Sequence, residues 1–372
     1  MENNISKSVS AIAKSVTPSR ANYTHQVENP EDFLRFDLTE GICWFPELVK
    51  EWVSDIPVNS VVHYPSASTT KLQELMAQWL SIPSSQIAVG NGSDELIELL
   101  PQIFLHSGDE CLIVTPTFFR FAEASARAGA RTRAVALQAK DRFSWTSASI
   151  KSFREEIQRT SVKLIWLSSP NNPTGISVPD EVVDIAVRSG KIVVIDKVLN
   201  GFTDELRSAG DLVAKHTNVI ILSGFSKTFG LPGLRLGFAI ADPSIAQLLR
   251  ERRLPFSMSG VSQFLFERFM ESLLTQKIQT PNINELHKRR LWLESKIRNL
   301  ASIEIASDSS TNILLLKSRS GSSLFSKLKT LGILVTDLNE AVGIQGLGFV
   351  RMAVRSQHEN EQFVAKIAQM KE

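Results

Sequence analysis

The sequence predicts an α/β fold: a mostly parallel central sheet covered by helices, with a smaller α+β domain after it. Three observations carry this. Short, continuously apolar runs such as Ile192-Val193-Val194-Ile195 and Val219-Ile220-Ile221-Leu222 have the composition of strands buried on both faces. Helical patterns separate those runs, and regular alternation of strand with helix marks an α/β fold. From about Leu254 the alternation gives way to a long helical stretch followed by short spaced strands.

In chain order, residues 1–45 read as an N-terminal arm, up to about residue 30, and then part of the smaller domain. Residues 46–255 read as the large domain and 256–372 as the C-terminal small domain. Strands are expected at Gln86–Val89, Glu110–Thr115, Arg131–Leu137, Lys163–Ser168, Lys191–Asp196, Asn218–Ser223 and Leu236–Ala241. Helices are expected between them at Asp94–Phe104, Phe118–Ala128 and Pro179–Arg188. Beyond, one helical stretch over Ser262–Leu300 precedes strands at Ser302–Ile305, Thr311–Lys317, Gly332–Val335 and Phe349–Val354.

Composition excludes several classes of function. Of 372 residues, 43% are hydrophobic and 22% charged, which is ordinary for a chain with a real core. The 41 basic and 39 acidic residues nearly cancel, so nothing favours nucleic acid or an anionic membrane as partner. No run approaches the ~18 apolar residues of a membrane span, and the polar start of the chain lacks the apolar segment of a signal peptide. A cytoplasmic enzyme is the expectation. Cys43 and Cys111 are too few for a disulfide framework, and neither they nor the six His have metal-ligand spacing, so no metal is expected.

Four motifs fall at the carboxyl ends of expected strands, where open α/β sheets bind ligands. Val89-Gly90-Asn91-Gly92-Ser93-Asp94-Glu95 runs into a helix. Glycine permits close backbone approach, and a helix N-terminus attracts phosphate; a simple capped helix is the rival reading. Ser168-Ser169-Pro170-Asn171-Asn172-Pro173-Thr174-Gly175 makes a stiff turn able to aim an amide into a cleft, or a turn only. Asp196 ends an apolar run, where a carboxylate needs a partner; a helix cap or an internal salt bridge is the alternative. Ser223-Gly224-Phe225-Ser226-Lys227-Thr228-Phe229-Gly230-Leu231-Pro232-Gly233-Leu234-Arg235 carries the most information. A lysine in apolar, glycine-rich company with a nearby cation has a lowered pKa and can form a Schiff base, and the arginine can hold a phosphate bidentately.

With these motifs in order, and with Tyr64-Pro65, Pro116-Thr117-Phe118 and Arg351 in their places, the sequence resembles the class I/II aminotransferases of PLP fold type I. It is most similar to the histidinol-phosphate aminotransferase group, from about Phe36 to the C-terminus. The resemblance implies pyridoxal 5′-phosphate (PLP) as cofactor, with Lys227 as the Schiff-base lysine and proton carrier at Cα. It implies Asp196 as partner of the pyridinium nitrogen, Asn172 as donor to the ring O3′ and Phe118 stacked on the ring. Gly92, Ser93, Ser226 and Arg235 would hold the phosphate. Tyr64 would reach the cofactor phosphate of a neighbouring subunit, which implies a homodimer with composite sites. Arg351 would clamp the substrate α-carboxylate. A core aromatic is the rival reading of Phe118, and Asp94 reads as a helix cap rather than a ligand.

The sequence departs from the family pattern in three places. Asp196-Lys197-Val198-Leu199 stands where the family reads Asp-Glu-Ala-Tyr, so Leu199 replaces a hydroxyl donor to O3′, and Lys197 replaces an acid. Thr336 stands where members with phosphorylated substrates carry an arginine. With Glu40, Asp337 is a candidate acidic partner for a cationic substrate, two solvated carboxylates being the equal alternative. The departures point to a free amino acid as substrate. They are similar to an offshoot that cyclises hydroxylated arginines, the capreomycidine-forming and enduracididine-forming cyclodehydratases. Conventional transamination is the competing expectation and decarboxylation a more distant one. A regulator with an aminotransferase-like domain is not expected, because the ~30 residues ahead of the match are too few to bury a core.

Overall fold

A computed structural model describes residues 29–200, 203–279 and 283–368. Most of the expected N-terminal arm lies outside the described residues. The first strand, β1 (Leu34–Arg35), is followed by β2 (Ile87–Asn91), β3 (Glu110–Thr115), β4 (Arg131–Ala136), β5 (Val162–Ser168), β6 (Ile192–Asp196), β7 (Val219–Gly224) and β8 (Leu236–Ala241). Strands β2 to β8 form one sheet in the order β2-β8-β7-β6-β5-β3-β4. It is parallel from β7 through β4, and β8 runs antiparallel to both β7 and β2. The mostly parallel, helix-covered sheet expected from the sequence is the one found.

The continuous apolar runs have the expected cause. Along β6, Val193 and Ile195 enter the core on one face of the sheet while Val194 enters the core on the other. Along β7, Ile221 faces the first core, and Ile220 and Leu222 the second. A strand whose alternate residues meet helices on both sides has no solvated face to mark with polar residues.

The C-terminal part differs from expectation in detail. The single stretch over Ser262–Leu300 is two helices, Gly260–Leu274 and Ile283–Arg298. Phe266, Phe269 and Met270 of the first pack with Phe225 and Phe238 in a core of the large sheet, whereas Leu293 and Ile297 of the second pack with Leu314 and Val350 in the small core. By packing, then, the division between cores falls between these helices, later than the expected 255/256. A periodic apolar pattern shows that a helix has a buried face but not which core it faces. The expected strand Gly332–Val335 is shorter, Ile333–Leu334, and a second short strand, Thr336–Asp337, follows beyond the expected bounds. Strands β9 (Ile303–Ile305), β10 (Ile313–Ser318), β12 (Thr336–Asp337) and β13 (Phe349–Ala353) form an antiparallel sheet, while β11 (Ile333–Leu334) pairs with β1. That pairing places residues 34–36 against the small core, where Phe36 meets Phe363 edge-on at 5.2 Å between centroids.

Candidate active site

The carboxyl ends of β2, β5, β6 and β7, and the start of β8, converge on a cleft of about 300 Å³. Its lining includes Glu40, Gly92, Ser93, Phe118, Asn172, Asp196, Ser226, Lys227, Arg235 and Arg351. Residues separated by hundreds of positions meet here because parallel strands all end on one side of their sheet.

One wall is a cup suited to an anion. Gly92 has φ +79°, and the helix Ser93–Phe104 starts directly after it without a side-chain cap, leaving its first N–H groups for a ligand. A Cβ on Gly92 would lie 2.5 Å from Arg235 Nη2, so glycine is what admits the guanidinium. Gly237, opposite Gly90 in the β2–β8 register, performs a similar service below, since a Cβ there would lie 2.0 Å from Ser93 N. The expected cap role of Asp94 does not hold: Gly92 occupies the N-cap, Asp94 lies inside the first turn, and its Oδ1 accepts from Arg120 Nε at 3.1 Å.

Asp196 closes β6 and is buried, with Oδ1 accepting from Val198 N at 2.8 Å. Burial pushes its carboxyl up to about 6, only partly offset by that hydrogen bond. A bound cation, such as a protonated pyridine nitrogen, would provide the partner that a carboxylate here needs. Across the cleft, burial and then the Arg351 guanidinium together push the Lys227 amine down to about 8. Lys227 Nζ donates to Leu38 O at 2.8 Å. Phe118 stands in the cleft wall, edge-on to Phe121 at 5.6 Å, and Phe121 stacks on Trp166 at 4.7 Å. The core-aromatic reading is therefore half true: the ring is anchored by core aromatics and still faces the cleft.

Arg351 on β13 bridges the domains. Its Nη1 donates to Asn172 Oδ1 at 2.7 Å, and its Nη2 to Asp37 O at 2.6 Å and Thr336 Oγ1 at 2.8 Å. Anion cup, aromatic wall, lysine with a depressed pKa and buried carboxylate together fit PLP. Gly92, Ser93, Ser226 and Arg235 would hold its phosphate, Phe118 and Asn172 its ring, Asp196 its nitrogen and Lys227 its aldehyde carbon.

Some expected residues are elsewhere. Thr336 and Asp337 are not among the lining residues. Thr336 is buried, donating to Asp37 O, and Asp337 Oδ1 accepts from Asn339 N in a turn. Glu40 does line the cleft, with its carboxylate 3.8 Å from Arg355 Nη1. Tyr64 is 85% exposed and lies against Phe256, 4.8 Å between centroids, away from this chain's own cleft. Lys197 pairs with Glu205 at 3.2 Å, whereas Leu199 lines the cleft.

Sequence reading passed over Leu38 and Thr39, which also line the cleft. The available signal was a pair of glycines. A Cβ on Gly41 would lie 2.0 Å from Lys227 O, and one on Gly230 would lie 2.3 Å from Ile42 C. Together they let the segment after Phe36 press onto the lysine loop.

Among the described residues no helix is long and apolar enough to cross a membrane, and no cluster of His, Cys, Asp and Glu suits a metal ion. Residues 48–367 match the family model described as aminotransferase class I and II. The chain is similar to the histidinol-phosphate aminotransferase of Thermoanaerobacter pseudethanolicus, 29% identical over 332 residues, covering 89% of this chain and 91% of that one. In fold it is similar to an Escherichia coli protein with methionine aminotransferase function (TM-score 0.79, 18% identity, 96% of this chain and 99% of that one). It is also similar to the L-threonine-O-3-phosphate decarboxylase of Porphyromonas gingivalis (TM-score 0.74, 19% identity, 90% and 98%). The chain belongs to the class I and II aminotransferase family, and its cofactor is pyridoxal 5′-phosphate.

Proposed function

We propose that this PLP-dependent enzyme acts at Cα of a free, unphosphorylated amino acid with a cationic side chain, and that it eliminates a γ-hydroxyl and closes a ring. The observation carrying this reading is Leu199 in the cleft, where the family pattern has tyrosine. The chain has only two tyrosines: Tyr23, outside the described residues, and the exposed Tyr64. Thr336, buried and bonded to Asp37 and Arg351, leaves no cation at the position where the family pattern binds a substrate phosphate.

PLP supplies an electron sink for the bond broken at the substrate Cα. Arg351 holds the α-carboxylate, and Glu40 faces the cationic side chain. Lys227 Nζ, displaced by the substrate amine, takes the Cα proton. A second proton leaves Cβ as the γ-hydroxyl departs in water. A guanidine nitrogen then bonds to Cγ and gives up its own proton, while protons return to Cβ and Cα, so the product is the substrate minus one water and no oxidant is needed. Tethering makes the closure unimolecular, an advantage reaching ~7–11 kcal/mol in favourable cases.

Transamination with a keto acid is the second reading, favoured by the family and by relatives named histidinol-phosphate aminotransferase. Decarboxylation has only the fold likeness to the P. gingivalis enzyme behind it. Mass spectrometry of a γ-hydroxyarginine incubation without keto acid separates them. A product lighter by one water supports elimination. Unchanged γ-hydroxyarginine, with rapid conversion of PLP to its amine form by an ordinary amino donor, establishes the aminotransferase.

We further propose a homodimer. Val58, Val61, Val62, Tyr64, Leu254 and Phe256 are large apolar side chains exposed on this chain, the last four between 44% and 85%. Gly260 brings this region together, its Cα so near the Asn59–Val62 helix that a Cβ would lie 2.3 Å from Ser60 O. Contiguous apolar surface of this kind marks an interaction site.

A further inference from the structure

Thr336 and Arg351 are direct cross-strand neighbours, paired in the β12–β13 register. A threonine hydroxyl has one proton to give and lone pairs to receive with, and here both roles are filled. Thr336 Oγ1 donates to Asp37 O at 2.5 Å and accepts from Arg351 Nη2 at 2.8 Å. Arg351 Nη2 donates to Asp37 O as well, at 2.6 Å, while Nη1 is held by Asn172 Oδ1 at 2.7 Å. The guanidinium is thus fixed by three oxygens from three separate elements: β12, the segment after β1, and the loop after β5. The Asp37 carboxylate itself accepts from Arg35, at 3.2 Å from Nε and 3.1 Å from Nη2, and it is the backbone carbonyl that faces Arg351. Thr336 is 7% exposed and does not line the cleft, so water cannot readily replace its hydroxyl.

We propose that Thr336 is a positioning residue which fixes the Arg351 guanidinium in the orientation that receives the substrate α-carboxylate, and that it touches no substrate itself. The proposal rests on the reading of Arg351 as the carboxylate clamp. It gives Thr336 a different role from the one expected of it: the hydroxyl acts through Arg351, coupling the small-domain sheet to the segment that also supplies the Leu38 carbonyl to Lys227.

Two measurements on Thr336→Val and Thr336→Ser test this. In cofactor-free protein, labelling of Arg351 by phenylglyoxal is followed by peptide mass spectrometry. Thr336→Val should label severalfold faster than wild type, and Thr336→Ser at the wild-type rate. In holoenzyme, L-arginine and its decarboxylated counterpart agmatine are titrated against the PLP absorbance. Loss of a hydrogen bond to a charged group should raise the L-arginine concentration for half-saturation by about tenfold in Thr336→Val. Agmatine, lacking the carboxylate, should titrate as in wild type, and Thr336→Ser should restore L-arginine binding. Should Thr336→Val fail to melt cooperatively, Thr336→Ala takes its place in both measurements. Wild-type labelling of Arg351 in the variant, or equal weakening of L-arginine and agmatine, overturns the proposal. If neither probe changes the wild-type spectrum, the cationic-substrate reading fails, and the labelling rates still decide the role of Thr336.

Discussion

Replacing Gly92 with alanine perturbs the anion cup in two separable ways. The backbone at Gly92 has φ +79° and ψ 160°, a conformation essentially confined to glycine that costs an L-residue on the order of 1–3 kcal/mol. The new Cβ would also lie 2.5 Å from Arg235 Nη2 and 3.1 Å from Arg235 Cζ. The obstacle is the end of a flexible side chain, so the fold survives the contact by moving the guanidinium. That movement takes Arg235 away from the phosphate. Charge-assisted hydrogen bonds contribute ~1.5–3 kcal/mol each, so PLP should bind about 10- to 100-fold more weakly. Gly108→Ala is the control: Gly108 has φ +95° with nothing within 4 Å of the added Cβ, so it carries the backbone cost alone. Chemical denaturation should show both variants destabilised, by ~1–3 kcal/mol. Titration of the apoproteins with PLP should show weakening in Gly92→Ala only. Wild-type PLP affinity in Gly92→Ala, or equal loss in both variants, would refute the assignment of this turn and Arg235 to the phosphate.

Three further outcomes are expected. The Asp196 carboxyl is raised from 3.8 to about 6 by burial, so its contribution to apoprotein stability is present below about pH 4 and lost as pH rises through about 6, on the order of 3 kcal/mol in all. Urea unfolding of the apoprotein across that window should show this decline in wild type and not in Asp196→Asn; the same decline in both would assign it to other groups. Because Lys227 is lowered from 10.5 to about 8, PLP capture by the apoprotein should speed up as pH rises to about 8 and level off above it. Borohydride should then fix the label on Lys227, and a label on another lysine contradicts the site. Sedimentation should find a dimer, and Tyr64→Phe should weaken PLP retention more than it lowers the melting temperature; an active monomer would remove Tyr64 from the site.

The fold was largely legible in the sequence because its signals are local. Runs such as Val219–Leu222 are apolar at every position only when both faces of the strand are covered, and the bounds of β3 and β8 agree with the expected ones. That the candidate residues share one cleft was legible for a related reason. Gly92, Asn172, Asp196, Lys227 and Arg235 each follow or end a recognisable strand, or open the next one, and the topology of a parallel sheet gathers such positions on one edge without further information. Tertiary structure alone decided three other matters. The helix Gly260–Leu274 belongs to the large core because Phe266 and Phe269 meet Phe225, a contact that no periodicity encodes. Leu38 and Thr39 enter the site because two distant glycines, Gly41 and Gly230, let separate segments touch. Thr336 was visible as a departure from a family pattern, but its part in holding Arg351 depends on a two-residue strand pairing and on the Asp37 carbonyl, almost three hundred residues away in the chain. Local sequence carries propensity and burial pattern, whereas the partner of a buried hydroxyl is settled only when the chain has closed around it.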